Sequence, residues 1–326
     1  MHRALAVIFL LLLISIRSTH ADPSTAQATA SGQTNAGSVQ TVPPLVTQIK
    51  KSVVFIELKC KQEKRSVLER GTGFLVGIPA PELGPGKTFD YLVTNRHVAF
   101  CWDRIGHPLE IESIAVRANS KSGAAVEIPA GINGNIRWYV PQDQSIDLAV
   151  TPFAAPDSLD ALNIPITMFA TKDLLTSKGV AEGAKILFSG FFYQFPGIHK
   201  VQPIVREGIL AMIPDEPLIT TTGKLGTLYL GDVHIFSGNS GSPVFVDLSS
   251  SLNYITLPNL AFLGVVSGLY LEDQQFNVKV ALMAEGIQHA NSGIAMIVPA
   301  DQVRDLIEND PTLRKQRETT LSSAHH

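Results

Sequence analysis

The sequence has no basic surplus: 26 lysines and arginines face 29 aspartates and glutamates, for a formal charge of −3. A nucleic-acid partner, whose phosphates must be met by a field of cations, is therefore not expected. Charge is scarce altogether, at 17% against 45% hydrophobic residues. That balance excludes a generally disordered chain and leaves apolar material for a sizeable core. Long apolar runs are missing too, since the main one, Ala4 to Ile16, falls short of the roughly 20 residues that span a bilayer. There are only two cysteines, Cys60 and Cys101, and no Cys-x-x-Cys, so a cysteine metal site lacks its ligands. Nucleotide and flavin motifs are absent as well, and neither a metal nor another cofactor is expected.

What is there is turn-rich, with 25 Gly and 20 Pro. Segments of four to eight residues rich in Val, Ile, Leu and aromatics recur between turns: Val53 to Leu58, Gly73 to Val76, Tyr91 to Thr94, Ile111 to Val116, Leu148 to Phe153, Lys185 to Gly190, Leu228 to Leu230, Pro243 to Val246, Ala261 to Ser267 and Ile294 to Val298. Short strands at this density indicate an all-β sandwich or barrel. Helical character is confined to Leu45 to Lys51 and Ala300 to Asn309, the second with Val303, Leu306 and Ile307 on one face. Residues 1–21 carry His2 and Arg3, the short apolar run and a closing Thr19-His20-Ala21, which together read as a secretory signal peptide. Residues 22–44 are small and polar without an apolar period and read as a flexible linker; 311–326 read as a disordered tail for the same reason. One block, 45–310, remains for the folded domain. Export implies a secreted or periplasmic product that the membrane does not hold once the signal is cut. It also permits a Cys60–Cys101 disulfide, two separate buried thiols being the other reading.

Three short segments carry chemistry. Phe236-Ser237-Gly238-Asn239-Ser240-Gly241-Ser242-Pro243 places a serine between glycines ahead of a strand. Tyr91-Leu92-Val93-Thr94-Asn95-Arg96-His97-Val98-Ala99 runs a strand straight into a histidine. Between them Asp143-Gln144-Ser145-Ile146-Asp147-Leu148-Ala149-Val150 puts an aspartate at the mouth of an apolar strand. In isolation each has a bland reading: a turn serine, a satisfied polar residue at a strand end, a turn acid.

Together, in the order His97, Asp147, Ser240 and at about the family's spacing, they resemble the trypsin/chymotrypsin-like serine peptidases. Gly71-Thr72-Gly73-Phe74-Leu75-Val76, Gly264-Val265-Val266-Ser267-Gly268 and Asn291-Ser292-Gly293-Ile294-Ala295-Met296-Ile297-Val298-Pro299 are similar to three further strands of that family. The resemblance covers roughly Val53 to Ile307. It implies two six-stranded antiparallel β-barrels with a C-terminal helix, the active site in the cleft between them, and protein or peptide substrates. By the same resemblance Ser240 is the nucleophile, His97 the general base, Asp147 the carboxylate that fixes the imidazole, and the N–H groups of Gly238 and Ser240 the oxyanion hole.

Within the family the chain looks closest to the HtrA/Deg-like bacterial peptidases, in which the loop is typically Gly-Asn-Ser-Gly. No Ile-Val-Gly-Gly occurs upstream, and Asn239 stands where zymogen-type relatives carry the Asp that pairs with a freed amine. About 20 residues follow the last expected helix, too few for a PDZ domain, and Ser242 replaces a common second glycine. His234 occupies the position that holds Asp in enzymes cutting after Lys or Arg. With Ser267, Gly268 and Leu269 as walls, the pocket is expected to take small to medium apolar side chains. The competing reading is a catalytically silent trypsin-like domain that binds peptides or proteins through the same cleft.

Overall fold

The first expected strand buries both of its faces, and the reason defines the architecture. In β1 (Val53–Gln62), the alternate residues Val54, Ile56, Leu58 and Cys60 point into one core with Leu75, Leu92 and Val116, while Val53 and Phe55 pack outward on Phe191 and Val201. The computed structural model describes residues 44–103, 105–130, 136–251, 259–279 and 283–324. The expected signal peptide and all of the expected linker except Pro44 lie outside them.

β1 belongs to an antiparallel sheet with β2 (Arg65–Pro79), β3 (Thr88–Thr94), β4 (Glu110–Asn119), β5 (Ala125–Pro129) and β6 (Ala149–Pro152), ordered β5-β4-β1-β2-β3-β6. A two-residue strand, β7 (Ile164–Pro165), adds in parallel to β2. The free ends of the sheet are drawn together by a Ser120–Leu159 bridge and by the Lys121 N–H and Asp160 N–H bonds to Ser158 and Asn119. The second half closes fully. There β8 (Lys185–Gly190), β9 (Ile204–Met212), β12 (Tyr229–Asp232), β13 (Pro243–Asp247), β14 (Leu260–Lys279) and β15 (Met283–Pro299) form a six-stranded antiparallel barrel in the order β12-β15-β14-β13-β8-β9. Between β9 and β12, β10 (Leu218–Ile219) and β11 (Leu225–Gly226) make a small hairpin. β14 and β15 run well past the expected Ala261–Ser267 and Ile294–Val298, as one long hairpin whose ladder reaches Lys279–Met283. The polar outer part of that ladder has no apolar alternation to announce it.

Each half has its own interior, and a third apolar layer joins them. Phe74, Val76 and Val93 from the first meet Phe245, Phe262 and Val298 from the second. Helices α1 (Leu45–Lys51) and α4 (Ala300–Asn309) close this layer with Ile49, Val303, Leu306 and Ile307. Between the barrels a short α3 (Lys172–Ser177) is capped by the Thr171 side chain.

The tail expected to be disordered is instead a helix, α5 (Pro311–Ala324). It lacks an amphipathic period, but Asp310 caps it by accepting from the Thr312 and Leu313 amides, and Pro311 suits the first helical position. One apolar side chain then suffices as an anchor: Leu313 is fully buried in the inter-barrel layer, and Arg317 donates to the Tyr91 hydroxyl and the Ile307 carbonyl, both at 2.8 Å. Among the described residues no helix is long and apolar enough to cross a membrane.

Candidate active site

His97 lies on α2 (Arg96–Ala99), a single turn that follows β3 directly. Its backbone N–H donates to Asp147 Oδ1 at 3.1 Å and its Nδ1 lies 2.6 Å from Asp147 Oδ2, so one carboxylate fixes both the backbone and the ring. Asp147 precedes β6, and its own carbonyl accepts from the buried Asn95 side chain at 2.8 Å, which ties the two segments together. With a carboxylate at Nδ1, the ring carries its proton there and leaves Nε2 as the acceptor. The Asp147 side chain is 4% exposed, against 44% for His97. Burial opposes the ionisation of Asp147, yet the bonds and charge of His97 and the bond from Ser267 outweigh it and hold the carboxyl below its ordinary range.

Two hydroxyls complete the carboxylate's surroundings. Ser267 Oγ is 2.9 Å and Thr221 Oγ1 3.1 Å from Asp147 Oδ2, and the two hydroxyls are 2.7 Å apart. Two protons serve three short oxygen pairs, so one hydroxyl donates to the carboxylate while the other donates to it or to its neighbour. Ser267, expected as a pocket wall, is 2% exposed and committed to Asp147, as a buried hydroxyl needs a partner. Thr221 had no signal in the sequence beyond a Thr-Thr-Gly turn. It is delivered by the turn of the β10–β11 hairpin.

The serine loop is held between two strands. Thr72 of β2 donates its N–H to the Ser240 carbonyl at 3.0 Å and its hydroxyl to the Gly238 carbonyl at 2.6 Å. On the other side, Gly241 N–H donates to Val266 of β14 and Val266 N–H to Ser242, each at 2.9 Å. Gly241 must be glycine: its φ is +86°, and a Cβ there would stand 2.0 Å from the Thr72 carbonyl oxygen. Asn239 is fully buried, accepts from Phe236 N–H at 2.8 Å and donates to the Phe191 carbonyl at 2.7 Å. The N–H groups of Gly238 and Ser240 have no acceptor among the described residues. The Ser240 hydroxyl is likewise free of a hydrogen bond there, to His97 or otherwise.

Of the expected pocket residues, His234 is exposed, its ring set against Gly293 of β15. Gly268 lies against the Thr221 methyl, and Leu269 is half-buried against the interior of the second barrel. Cys60 and Cys101 are joined as a disulfide with Cα atoms 5.7 Å apart, linking β1 to the chain just beyond the His97 turn. Among the described residues no cluster of His, Cys, Asp or Glu is arranged to hold a metal ion. The arrangement offers an imidazole held by a buried carboxylate, a serine on a tightly gripped loop, and two unspent backbone donors on that loop.

No family model matches the chain, and no curated protein matches it. Solved structures do. Deg5 is 17% identical with a TM-score of 0.45, over 79% of this chain and 88% of that one. The Rv3671c protease from M. tuberculosis matches in its active form at 16% identity and TM-score 0.46, over 82% of this chain and 84% of that one. Its inactive form matches at 15% and 0.44, over 82% and 92%.

Proposed function

We propose that the protein is a secreted or periplasmic serine endopeptidase. The observation that carries this reading is the His97 Nδ1–Asp147 Oδ2 contact of 2.6 Å, made by a buried carboxylate whose partner Ser267 is the neighbour of Val266, the residue that holds the Ser240 loop. A serine hydroxyl is a poor nucleophile at neutral pH. His97 Nε2 takes its proton as Ser240 Oγ attacks the peptide carbonyl, and Asp147 holds the tautomer and stabilises the imidazolium. The Gly238 and Ser240 N–H groups receive the oxyanion, each contributing about 3 to 4 kcal/mol in comparable sites. His97 then hands the proton to the leaving amine, and water repeats the sequence on the acyl-enzyme.

The rival, a silent domain that binds peptides in the same cleft, draws on the absence of a Ser240–His97 hydrogen bond. Such bonds often tighten only in the substrate complex. One experiment separates the two. A fluorophosphonate labels an activated serine, so wild type is expected to be labelled and Ser240→Ala not; an unlabelled wild type that still binds peptides establishes the rival. Peptide-library cleavage then tests the preference for small to medium apolar residues.

A further inference from the structure

The N-terminal flank of the serine loop carries large apolar side chains that the chemistry above does not use. Phe236, Tyr193, Phe195 and Ile198 are 42%, 44%, 71% and 84% exposed. Two of them pack around one ring: Phe192 stacks on Phe195 at 5.6 Å between centroids and meets Phe236 edge-on at 5.9 Å. Arg206 lies 4.7 Å from the Phe236 ring centre and Arg70 5.8 Å from that of Tyr193, so cations steady two of the faces. A cluster of exposed aromatics of this kind marks a binding surface.

Its attachment says what it binds. Tyr193 N–H donates to the Ser237 carbonyl at 3.4 Å, Asn239 Nδ2 to the Phe191 carbonyl at 2.7 Å, and Phe191 N–H to the Thr72 hydroxyl at 3.0 Å, the same hydroxyl that holds Gly238. The loop is thus gripped by the aromatic segment before Ser240 and by Val266 of β14 after it. Ser240 thus lies on the loop between its attachment to the Phe191–Tyr193 segment and its attachment to Val266, next to the Ser267–Leu269 stretch. With that stretch expected as the wall of the acyl-side pocket, the leaving part of a substrate is directed toward the rings.

We propose that Phe192, Phe195 and Phe236 form a subsite for a bulky apolar or aromatic side chain immediately C-terminal to the cleaved bond. The proposal rests on the serine-peptidase reading, and acyl transfer tests the two separately. Acylation by N-acetylalanine p-nitrophenyl ester, read by nitrophenolate release, reports the triad. The acyl-enzyme is then offered phenylalaninamide or glycinamide. The amine nitrogen attacks the acyl carbonyl, the ester bond to Ser240 Oγ breaks, and the proton lost by the amine returns through His97 to the serine oxygen. Capture by phenylalaninamide is expected to exceed capture by glycinamide roughly five- to tenfold. Phe195→Ser, at a mostly exposed position, brings the ratio down toward one, and Phe195→Trp retains it. Acylation with equal capture of both amines overturns the subsite alone, and no acylation overturns the subsite together with the reading beneath it. A dimer abolished by Phe195→Ser, with the ratio unchanged, assigns the rings to a second copy and overturns the subsite too.

Discussion

Replacing Asn239 by Asp tests whether the Ser240 loop is held by a neutral side chain in place of an ion pair. Asn239 is fully buried and uses both ends of its amide, Oδ1 on the Phe236 N–H and Nδ2 on the Phe191 carbonyl. An ionised carboxylate there keeps the first bond and loses the second, setting a carboxylate oxygen against a carbonyl oxygen. The unpaired Phe191 carbonyl costs about 1 to 3 kcal/mol. The desolvated charge adds to this, and the nearest ring-stacked cations, Arg70 and Arg206, face Tyr193 and Phe236 and not this side chain. A total of about 3 kcal/mol corresponds to roughly a hundredfold shift in the closed population of the loop.

Protonation restores a donor toward Phe191, so the folded-state pKa of the introduced carboxyl is raised. The folded state then holds more protons than the unfolded one between the two values, and stability falls as pH rises through that window. The expected result is a Tm gap between Asn239→Asp and wild type that is full at pH 7 and narrows on acidification toward pH 4. Ester hydrolysis at pH 7 falls by one to two orders of magnitude. Equal activity and equal Tm at pH 7, or a gap that widens in acid, would refute the reasoning.

Removing the disulfide by Cys60→Ser with Cys101→Ser frees a 41-residue separation and is expected to cost up to about 4 kcal/mol in denaturant titrations. A loss near zero would mean that the bond constrains nothing. Thr221→Val removes one of two hydroxyls at Asp147; kcat/KM is expected to fall several-fold while Thr221→Ser retains it. Because Asp147 is depressed in the fold, its contribution is present above the ordinary carboxylate range and lost as pH falls through the folded value. Thr221→Val should therefore move the acid-unfolding midpoint upward, and a midpoint that stays put removes Thr221 from the network. Leu313→Ala should cost about 3 kcal/mol as a cavity under α5, measured by thermal unfolding, whereas a dispensable tail would show no change. Deleting residues 22–42 should leave ester hydrolysis nearly unchanged, and a large rise in rate would mark that segment as an inhibitory propeptide.

The sequence made legible those features that local chemistry dictates. His97 and Asp147 are readable only together with Ser240, through an order and spacing that resemble a peptidase, while the glycines around Ser240 advertise a sharply bent loop. Strand density makes an all-β sandwich or barrel readable, and the pair of barrels is what the resemblance implies. α5 was hidden because its order depends on one leucine and one capping aspartate, below the threshold of any periodic signal. The bond that Ser267 makes is hidden for a related reason, since its place in the channel strand is readable but the direction of its hydroxyl is set by Asp147, 120 residues away. Thr221 lies in a turn like many others, and only the β10–β11 hairpin brings it to the carboxylate.

Ser242 departs from the glycine common in the peptidases that the sequence resembles, and the structure shows what absorbs it. The side chain is fully buried against Gly190 at the end of β8, where a Cβ would stand 1.9 Å from Ser242 Oγ. The volume gained at one position is given up at the other, so the departure does not push the loop toward the cleft. Thr72 supplies the matching constraint from the first barrel. Its N–H and hydroxyl hold Ser240 and Gly238 of the second barrel, while its carbonyl accepts from the Thr94 hydroxyl at 2.7 Å, three residues before His97. One buried residue therefore fixes the Ser240 loop relative to the turn that carries His97. The two halves cannot slide past one another without breaking those bonds or the Ser267 and Thr221 bonds to Asp147, so strand β2 and Asp147 together set the register between the two halves of the site.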